Sequence, residues 1–253
     1  MTGSTVNLIA AQSTKKGEML VETRVKQIEL DGLKFQYRET GDPLLPPLVA
    51  LHALGQNAQS WDEVASVLGT KYRVIALDQR GHGGSSRPGK YSFELMSEDL
   101  NLFSSALGLE RFTLLGHSMG GTVSYLYSET HPSKVERLVV EDTPPPFPDK
   151  PLDIPPAPSD PLPFDYEVVP AIFNQLNKPN PDWWTHLPDI TAPTLILGGG
   201  PTSHIPQAKL QEVSKLIPDC QLETIDGAGH GMHFVNLQAT LKAITRFLHM
   251  DAV

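Results

Sequence analysis

Residues 112–120 have the sequence FTLLGHSMG, a short apolar run that leads into a serine flanked by two glycines. Residues 122–129 have a helical period, so the chain passes from a strand through a tight turn into a helix. In this setting the pattern Gly-x-Ser-x-Gly strains the serine backbone and projects its hydroxyl above the sheet, while the glycines allow close backbone approach. The N-terminus of the helix carries free N–H groups and a partial positive charge, which favour an anion forming there. The stretch therefore predicts Ser118 as a nucleophile.

Outward from this stretch, the sequence alternates between short apolar runs and segments of helical period. Residues 24–30 and 33–38 have period two around Asp31-Gly32, which predicts an antiparallel hairpin. Nearly continuous apolar runs are typical of strands buried on both faces of a parallel sheet. These strands are predicted at 48–51, 74–77, 112–115, 138–140 and 194–197, and helices at 61–68, 93–107, 122–129, 207–216 and 237–248. The alternation predicts a doubly wound α/β sheet.

A Pro-rich segment, defined as residues 144–163, interrupts this alternation with ten prolines in 20 residues. Such a segment is excluded from the interior of a strand or a helix. Because it follows the end of a strand in a parallel sheet, we expect residues 144–188 to form a short cap, with a plain proline-rich loop as the alternative. Residues 1–143 and 189–253 then form the core. No structure is predicted for residues 1–20.

Composition excludes several classes of partner. The formal net charge is −9, and Lys15-Lys16 is the only adjacent pair of basic residues, so nucleic acid and anionic membrane are poor partners. The lone Cys220 forms no internal disulfide, and no Cys/His spacing suggests zinc. No apolar run approaches the ~18 residues of a membrane span, and residues 1–11 do not resemble a signal peptide. We expect a soluble cytoplasmic protein that needs no metal; its oligomeric state stays open.

The motifs of the chain resemble those of the α/β-hydrolase superfamily over nearly all its length beyond about residue 21. The resemblance implies the α/β-hydrolase fold, a mostly parallel eight-stranded sheet flanked by helices with a short Pro-rich cap. Residues 52–55, His-Ala-Leu-Gly, stand where the family carries a His-Gly-x-x oxyanion loop, with Ala53 in place of the usual glycine. By this match, the backbone N–H groups of Leu54 and Met119 form the oxyanion hole. Removing one such donor costs about 10²–10³ in turnover in other enzymes.

Residues 78–86, DQRGHGGSS, are similar to the family's D-x-R-G-x-G-x-S turn. We interpret this turn as structural, with Asp78 and Arg80 bracing the loop. The alternative, Asp78 as the catalytic acid, is disfavoured.

The general base is predicted on the loop after the last strand, where residues 227–233 have the sequence GAGHGMH. A neutral imidazole suits a serine proton near pH 7 because its pKa lies close by. His230 is the predicted base, and His233 is the alternative three residues later.

The catalytic acid departs from the commonest family pattern. Most members carry Gly-x-x-Asp after the strand predicted here at 194–197, but residues 198–206 have the sequence GGGPTSHIP, with Thr202 or Ser203 at the acid position. Asp142, 24 residues after Ser118, follows the preceding (sixth) predicted strand, and a neighbouring strand lies only about 4.8 Å away. In this respect the chain resembles small bacterial esterases, in which a serine occupies the vacated position and shares the network; Ser203 is that auxiliary residue here. Glu141, or no acid at all, are the alternatives.

These residues predict a cofactor-free serine hydrolase that cleaves small, fairly apolar carboxylic esters through an acyl-enzyme. Phe147, Trp183, Trp184 and Met232 are the predicted substrate contacts, although core packing is the alternative for the tryptophan pair. An enol-lactonase, a perhydrolase with the same triad and a non-catalytic ligand-binding protein stay open. A haloalkane dehalogenase is disfavoured because its nucleophile is Asp. The physiological substrate is not predicted.

Overall fold

The computed structural model describes residues 6–16 and 19–250. Its described strands form one sheet in the order β1-β2-β3-β5-β4-β6-β7-β8-β9. The strands are β1 (Asn7–Lys16), β2 (Met19–Leu30), β3 (Leu33–Thr40), β4 (Pro47–Leu51), β5 (Arg73–Leu77), β6 (Phe112–His117), β7 (Val135–Glu141), β8 (Thr194–Gly198) and β9 (Cys220–Thr224). Strands β1 to β3 pair antiparallel, β3 is also antiparallel to β5, and β4 to β9 form a parallel block. The predicted α/β-hydrolase sheet and its opening hairpin are therefore confirmed.

The strand number differs from the predicted eight. The ninth strand is β1, from residues for which the sequence predicts no structure, and it pairs with β2 from Asn7↔Gln27 to Lys16↔Met19. Residues 1–5, 17–18 and 251–253, which the predicted core includes, lie outside the described residues.

Seven described α-helices cover the two faces of the sheet. They are α1 (Asp62–Leu68), α2 (Phe93–Ala106), α3 (Met119–Thr130), α4 (Val168–Asn177), α5 (Asp182–Thr185), α6 (Gln207–Leu216) and α7 (Leu237–Phe247). Five of them coincide with the five predicted helices to within a few residues. None of the described helices has both the length and the apolar character needed to cross a bilayer.

The parallel strands β4 to β8 are mostly buried on both faces, which explains their nearly continuous apolar sequences, whereas the edge strand β9 is partly exposed. In β4, Val49 and Leu51 belong to the core cluster that contains buried residues of α2, α3, α4 and α6. Leu48 and Ala50 belong to the opposite cluster, with α1 and α7. Successive side chains of a strand point to opposite faces, so such a strand contributes to both cores. Each fully buried Val or Leu adds about 1.5–3 kcal/mol of hydrophobic free energy.

The order of the parallel strands positions the site. Strand β7 lies between β6 and β8, and all three run in the same direction. Their carboxyl ends therefore meet at one edge of the sheet. Ser118 follows β6, Asp142 follows β7, and Ser203 lies in the loop after β8.

The Pro-rich segment contains no strand or helix, and α4 and α5 follow it. Its first residues lie over this edge of the sheet, where Pro144, Pro146 and Phe147 line a cavity together with Ser118.

Candidate active site

Ser118 lies on a strained turn between β6 and α3. Its backbone has φ 53° and ψ −117°, in a region that non-glycine residues rarely adopt. A Cβ added to Gly116 would come 2.5 Å from the carbonyl oxygen of Gly120, and one added to Gly120 would come 2.3 Å from that of Leu51. Both glycines of the motif are thus required by the backbone packing that holds Ser118 in place.

Asp142 lies directly after β7 and also has a positive φ, 45°. Its backbone N–H donates to the carbonyl oxygen of Leu197 at 2.7 Å, which ties it to the end of β8. Its buried carboxylate accepts a hydrogen bond at Oδ2 from Nδ1–H of His230, with 2.9 Å between the two atoms. The structure therefore brings His230 together with the acid that follows β7.

The Asp142 carboxylate receives three further hydrogen bonds. Ser203 Oγ donates to Oδ2 at 2.5 Å, and Gly199 N–H and Gln207 Nε2 donate to Oδ1 at 2.7 and 3.1 Å. Burial alone raises the pKa of Asp142, but the hydrogen bonds from His230, Ser203, Gly199 and Gln207 outweigh it and lower the pKa below its ordinary value. The carboxylate is therefore held as an anion near neutral pH.

His230 belongs to a 3-10 turn, Gly229–Phe234, which we call the His230 turn. Gly229 N–H donates to the carbonyl oxygen of Gly199 at 3.0 Å, and a Cβ added to Gly199 would come 2.0 Å from the carbonyl oxygen of Gly229. On the other side, His117 Nε2–H donates to the carbonyl oxygen of His230 at 2.8 Å. The turn is thus held between the ends of β6 and β8.

Leu54 and Met119 line the same cavity as Ser118, from the oxyanion loop and from the first turn of α3. Two buried histidines support that loop. His82 Nε2 accepts from Gly55 N–H at 3.2 Å, and His52 Nε2 accepts from Gln79 N–H at 3.1 Å. The loop is therefore fixed by direct contacts on both sides of Leu54.

Both supporting histidines are neutral. Burial lowers the pKa of His52 to about 4 and that of His82 to about 3. Because each Nε2 accepts a hydrogen bond, the proton is on Nδ1, which donates to the carbonyl oxygen of Ala53 at 2.8 Å in His52 and of Arg80 at 3.1 Å in His82.

Ala53 fits the oxyanion loop because the left-handed position of the loop is Gly55, with φ 79°. Asp78 does not take part in the site: its carboxylate accepts from the N–H groups of Ala58 and Gly84 at 2.7 and 2.8 Å. Arg80 forms two hydrogen bonds of 2.5 Å with Asp99 of α2. The geometry of this turn supports its structural interpretation.

A cavity of about 320 Å³ lies over Ser118. Its walls are mostly apolar, and its polar lining residues are Ser118, Thr122, Thr143, Asp149, Lys150, Asn177, His204 and His230. The apolar lining consists of Leu54, Phe93, Met119, Pro144, Pro146, Phe147, Leu152, Ile172, Phe173, Leu176, Ile205 and Pro206. Among the described residues, the Ser118 hydroxyl makes no hydrogen bond with His230, although both line this cavity. Catalytic hydrogen bonds are often long in free enzymes and shorten when substrate binds.

Three of the four predicted substrate contacts are not among the described residues that line this cavity. Trp183 is buried and packs edge-on against Phe93, with 5.7 Å between ring centroids. Trp184 supports the cavity wall from behind, where its Nε1–H donates to the carbonyl oxygen of Pro146 at 2.8 Å. Met232 is fully buried in the core on the opposite face of the sheet. The sequence shows that these residues are apolar but not which way they face.

The alternatives to the predicted acid and base contact each other instead of the site. Glu141 Oε2 accepts from His233 Nδ1–H at 2.6 Å, and both side chains are buried. Thr202 Oγ1 donates to the carbonyl oxygen of Gly199 at 3.5 Å and does not bond Asp142.

Three residues around the Asp142–His230 pair, Gly199, Gln207 and His204, were not predicted from the sequence. The first two bond Asp142, and the ring of His204 packs edge-on against that of His230 at 4.4 Å between centroids. The three consecutive glycines at 198–200 are the sequence feature that indicates a close approach of another backbone segment at this point.

Only a buried cluster beneath the site offers a set of metal ligands in the described part of the chain. His117, Glu141 and His233 present ligand atoms up to 4.8 Å apart. Zinc bonds of about 2.1 Å in tetrahedral geometry would bring such atoms to about 3.4 Å from one another. The direct hydrogen bond between Glu141 and His233 fits a hydrogen-bonded cluster better than a closed metal centre.

A family model described as the alpha/beta hydrolase fold matches residues 46–168, which include the oxyanion loop, Ser118 and Asp142. The solved structure of a bacterial membrane phospholipase A superposes with a TM-score of 0.75 at 26% identity, covering 90% of this chain and 86% of that one. The chain therefore has the α/β-hydrolase fold.

The curated relatives that the chain matches are named for different activities. A fluoroacetate dehalogenase of Burkholderia sp is 40% identical over 103 residues, which are 38% of this chain and 34% of that protein. The sn-1-specific diacylglycerol lipase ABHD11 of Mus musculus is 28% identical over 257 residues, 82% of each protein. The chain spans about a third of the length of the first relatives it matches, the dehalogenase among them.

Proposed function

We propose that this chain is a serine hydrolase that cleaves small, fairly apolar carboxylic esters through an acyl-enzyme on Ser118. The observation that carries the proposal is the 2.9 Å hydrogen bond from His230 to the buried Asp142, at the wall of the cavity that Ser118 faces. A serine on a strained turn, an imidazole and an oriented carboxylate are the groups that acyl transfer requires.

In the first half of the reaction, Ser118 Oγ attacks the ester carbonyl carbon and His230 Nε2 takes the hydroxyl proton. Asp142 stabilises the imidazolium and keeps the remaining proton on Nδ1. The backbone N–H groups of Leu54 and Met119 donate to the oxyanion of the tetrahedral intermediate. When the carbon–oxygen bond to the leaving alcohol breaks, His230 returns the proton to that alcohol.

In the second half, His230 takes a proton from water, and the hydroxide attacks the acyl-enzyme. The second tetrahedral intermediate collapses, Ser118 regains its proton from His230, and the carboxylic acid leaves. Every proton in the cycle is held by Ser118, His230, substrate or water.

The cavity supports an apolar substrate of limited size. A volume of about 320 Å³ lies at the low end of the range of small-molecule sites, roughly 300–1,000 Å³. We propose that residues 144–188 act as the cap of the core formed by residues 1–143 and 189–253, since Pro144, Pro146 and Phe147 cover the cavity that Ser118 lines.

The comparisons favour an ester as the substrate over a compound whose carbon–halogen bond is cleaved. The lipase relative is matched over most of its length, whereas the dehalogenase is matched over about a third. A dehalogenase of this fold needs Asp as its nucleophile, and Ser118 stands at that position here. The cytoplasmic location expected from the sequence stays a prediction.

The test compares wild type with Ser118→Ala on p-nitrophenyl acetate, butyrate and octanoate and on a panel of lactones, together with labelling by a fluorophosphonate. Ser214→Ala, at a partly exposed serine of α6, is the matched control. We expect wild type and the control to hydrolyse the short esters and to be labelled, and Ser118→Ala to do neither. Turnover and labelling that survive in Ser118→Ala would refute the proposal, and a wild type that binds esters without turnover would indicate a ligand-binding protein.

A further inference from the structure

A second carboxylate–histidine pair lies beside the one in the active site. Glu141 and Asp142 are consecutive residues at the end of β7, and each bonds a histidine of the His230 turn. Asp142 bonds His230, and Glu141 bonds His233 at 2.6 Å between Oε2 and Nδ1. Only the first pair has its histidine at the cavity; in the described chain, neither Glu141 nor His233 lines it.

Stability alone is a poor account of the second pair. Glu141 is fully buried and His233 is 2% exposed, so both pay a large desolvation cost. Their outer atoms, Glu141 Oε1 and His233 Nε2, find no hydrogen-bond partner among the described residues. A buried pair of this kind is often replaced by apolar side chains of similar volume without loss of stability. Apolar side chains, however, cannot form a hydrogen bond that fixes the orientation of the backbone.

The orientation of the backbone segment between the two histidines needs to be fixed in this way. Met232 lies between them with φ 38° and ψ −110°, a backbone conformation that costs on the order of 1–3 kcal/mol in a non-glycine residue. This strain persists only where both ends of the segment are held. The Asp142 bond holds the end at His230, and the Glu141 bond, with Trp61 stacked on His233 at 4.3 Å between centroids, holds the other end.

We infer that Glu141 and His233 are positioning residues that keep His230 aimed at Ser118. Because Glu141 and Asp142 are rigidly joined at the end of one strand, the two bonds together fix the rotation of the His230 turn relative to that strand. Without the Glu141 bond, Met232 relaxes to a negative φ and the imidazole of His230 turns away from the cavity. This inference rests on the proposed function, in which His230 is the base.

The test uses two pairs of variants. Glu141→Gln keeps an acceptor and His233→Asn keeps an N–H donor near the Nδ1 position, so both preserve the bond. Glu141→Leu removes the acceptor, and His233→Phe removes the donor while keeping a ring against Trp61. We expect the two bond-preserving variants to keep kcat within about threefold of wild type. The two bond-breaking variants lose about 10²-fold in kcat at little-changed KM, as misplaced catalytic groups do.

The double variant Glu141→Leu with His233→Phe separates positioning from stability. We expect its Tm to stay within about 2 °C of wild type, because the apolar pair replaces the buried polar pair, while kcat stays low. A double variant that keeps wild-type kcat would overturn the inference. Each single bond-breaking variant leaves a buried partner unpaired and is expected to lower Tm. A double variant whose Tm falls in step with its kcat would overturn the inference, since the pair would then serve only stability.

A readout without substrate separates this inference from the proposed function. The Nδ1 proton of His230, hydrogen-bonded to Asp142, gives a proton NMR resonance downfield of the amides. We expect that resonance to broaden or move upfield in Glu141→Leu and to stay in Glu141→Gln. An unchanged spectrum in Glu141→Leu overturns the positioning role, whether or not the wild type hydrolyses esters. Activity lost in Ser118→Ala but intact in Glu141→Leu overturns the positioning role alone.

Discussion

At the scale of single residues, the candidate site contains histidines that stay neutral beside the one proposed to take a proton. His52 and His82 support the oxyanion loop, and their buried rings cannot accept a second proton without losing the hydrogen bonds that Nε2 accepts. Burial holds the pKa of His82 at about 3, far below that of a solvated histidine. The loop that carries Leu54 is therefore supported by histidines that burial keeps neutral.

The substitution His82→Gln tests whether the fold keeps His82 neutral, through the pH dependence of the free energy of unfolding. In the unfolded chain His82 takes up a proton below its ordinary pKa of about 6.5, whereas the folded ring stays neutral down to about pH 3. Wild type therefore loses the contribution of His82 as the pH falls, at about 1.4 kcal/mol per pH unit below pH 6. We expect the difference in unfolding free energy between wild type and His82→Gln to be largest at pH 7 and to narrow toward pH 5, as measured by urea denaturation. A difference that does not vary with pH contradicts this account.

At the scale of elements, the candidate site is assembled where three strand ends and one turn meet. The end of β8 and the His230 turn are in direct backbone contact, since Gly229 N–H donates to the carbonyl oxygen of Gly199 at 3.0 Å. Residues of the proposed cap lie nearby: Nζ of Lys209 in α6 is 5.5 Å from the ring centroids of both Phe147 and Trp184. The distance from β8 to the turn is therefore set by the backbone.

The substitution Gly199→Ala should disturb catalysis more than folding. Its Cβ would meet the Gly229 carbonyl oxygen at 2.0 Å and push the His230 turn away from Asp142. We expect kcat to fall about 10²-fold, as for a misplacement of about 1 Å. The control is Gly108→Ala, at a left-handed glycine with no neighbouring atom within 4 Å, which should lower Tm and leave kcat unchanged. Equal effects of both substitutions on kcat would show that the contact does not position the turn.

At the scale of the whole molecule, the sheet places its edge strand β1 far from the strands that carry the proposed reacting groups. Strand β1 lies at one edge, five strand spacings from β6, which is about 24 Å at roughly 4.8 Å per spacing. The proposed nucleophile, acid and base follow β6, β7 and β9, and Leu54 of the proposed oxyanion hole follows β4. The added edge strand therefore extends the sheet without approaching the site.

A chain that starts at Met19 tests this separation. It lacks β1 and leaves β2 as the edge strand. We expect Tm to fall, because the β1–β2 backbone pairing is lost, while kcat and KM for a short ester stay within about twofold of the full chain. A truncated protein that folds, by circular dichroism, but has lost turnover would show that β1 influences the site.

The parts of this architecture that could be predicted from the sequence are those set by local patterns. The buried strands and the Ser118 turn have such patterns, and Asp142 could be assigned because the resemblance supplied the strand order. Strand β1 has no regular alternation, so its pairing with β2 was not predicted. The orientation of Trp183 and the bond between Glu141 and His233 depend on contacts between distant segments, which no local pattern reveals.

The most direct test of the central claim is the turnover of Asp142→Asn. If the carboxylate after β7 orients His230, this substitution lowers kcat for p-nitrophenyl butyrate by about 10⁴-fold, as in other serine hydrolases that lose the acid. Thr202→Ala, in the loop where most members of the family carry the acid, serves as the control and keeps kcat within about twofold. A folded Asp142→Asn protein with turnover near that of wild type, or a large loss in Thr202→Ala, would contradict the claim.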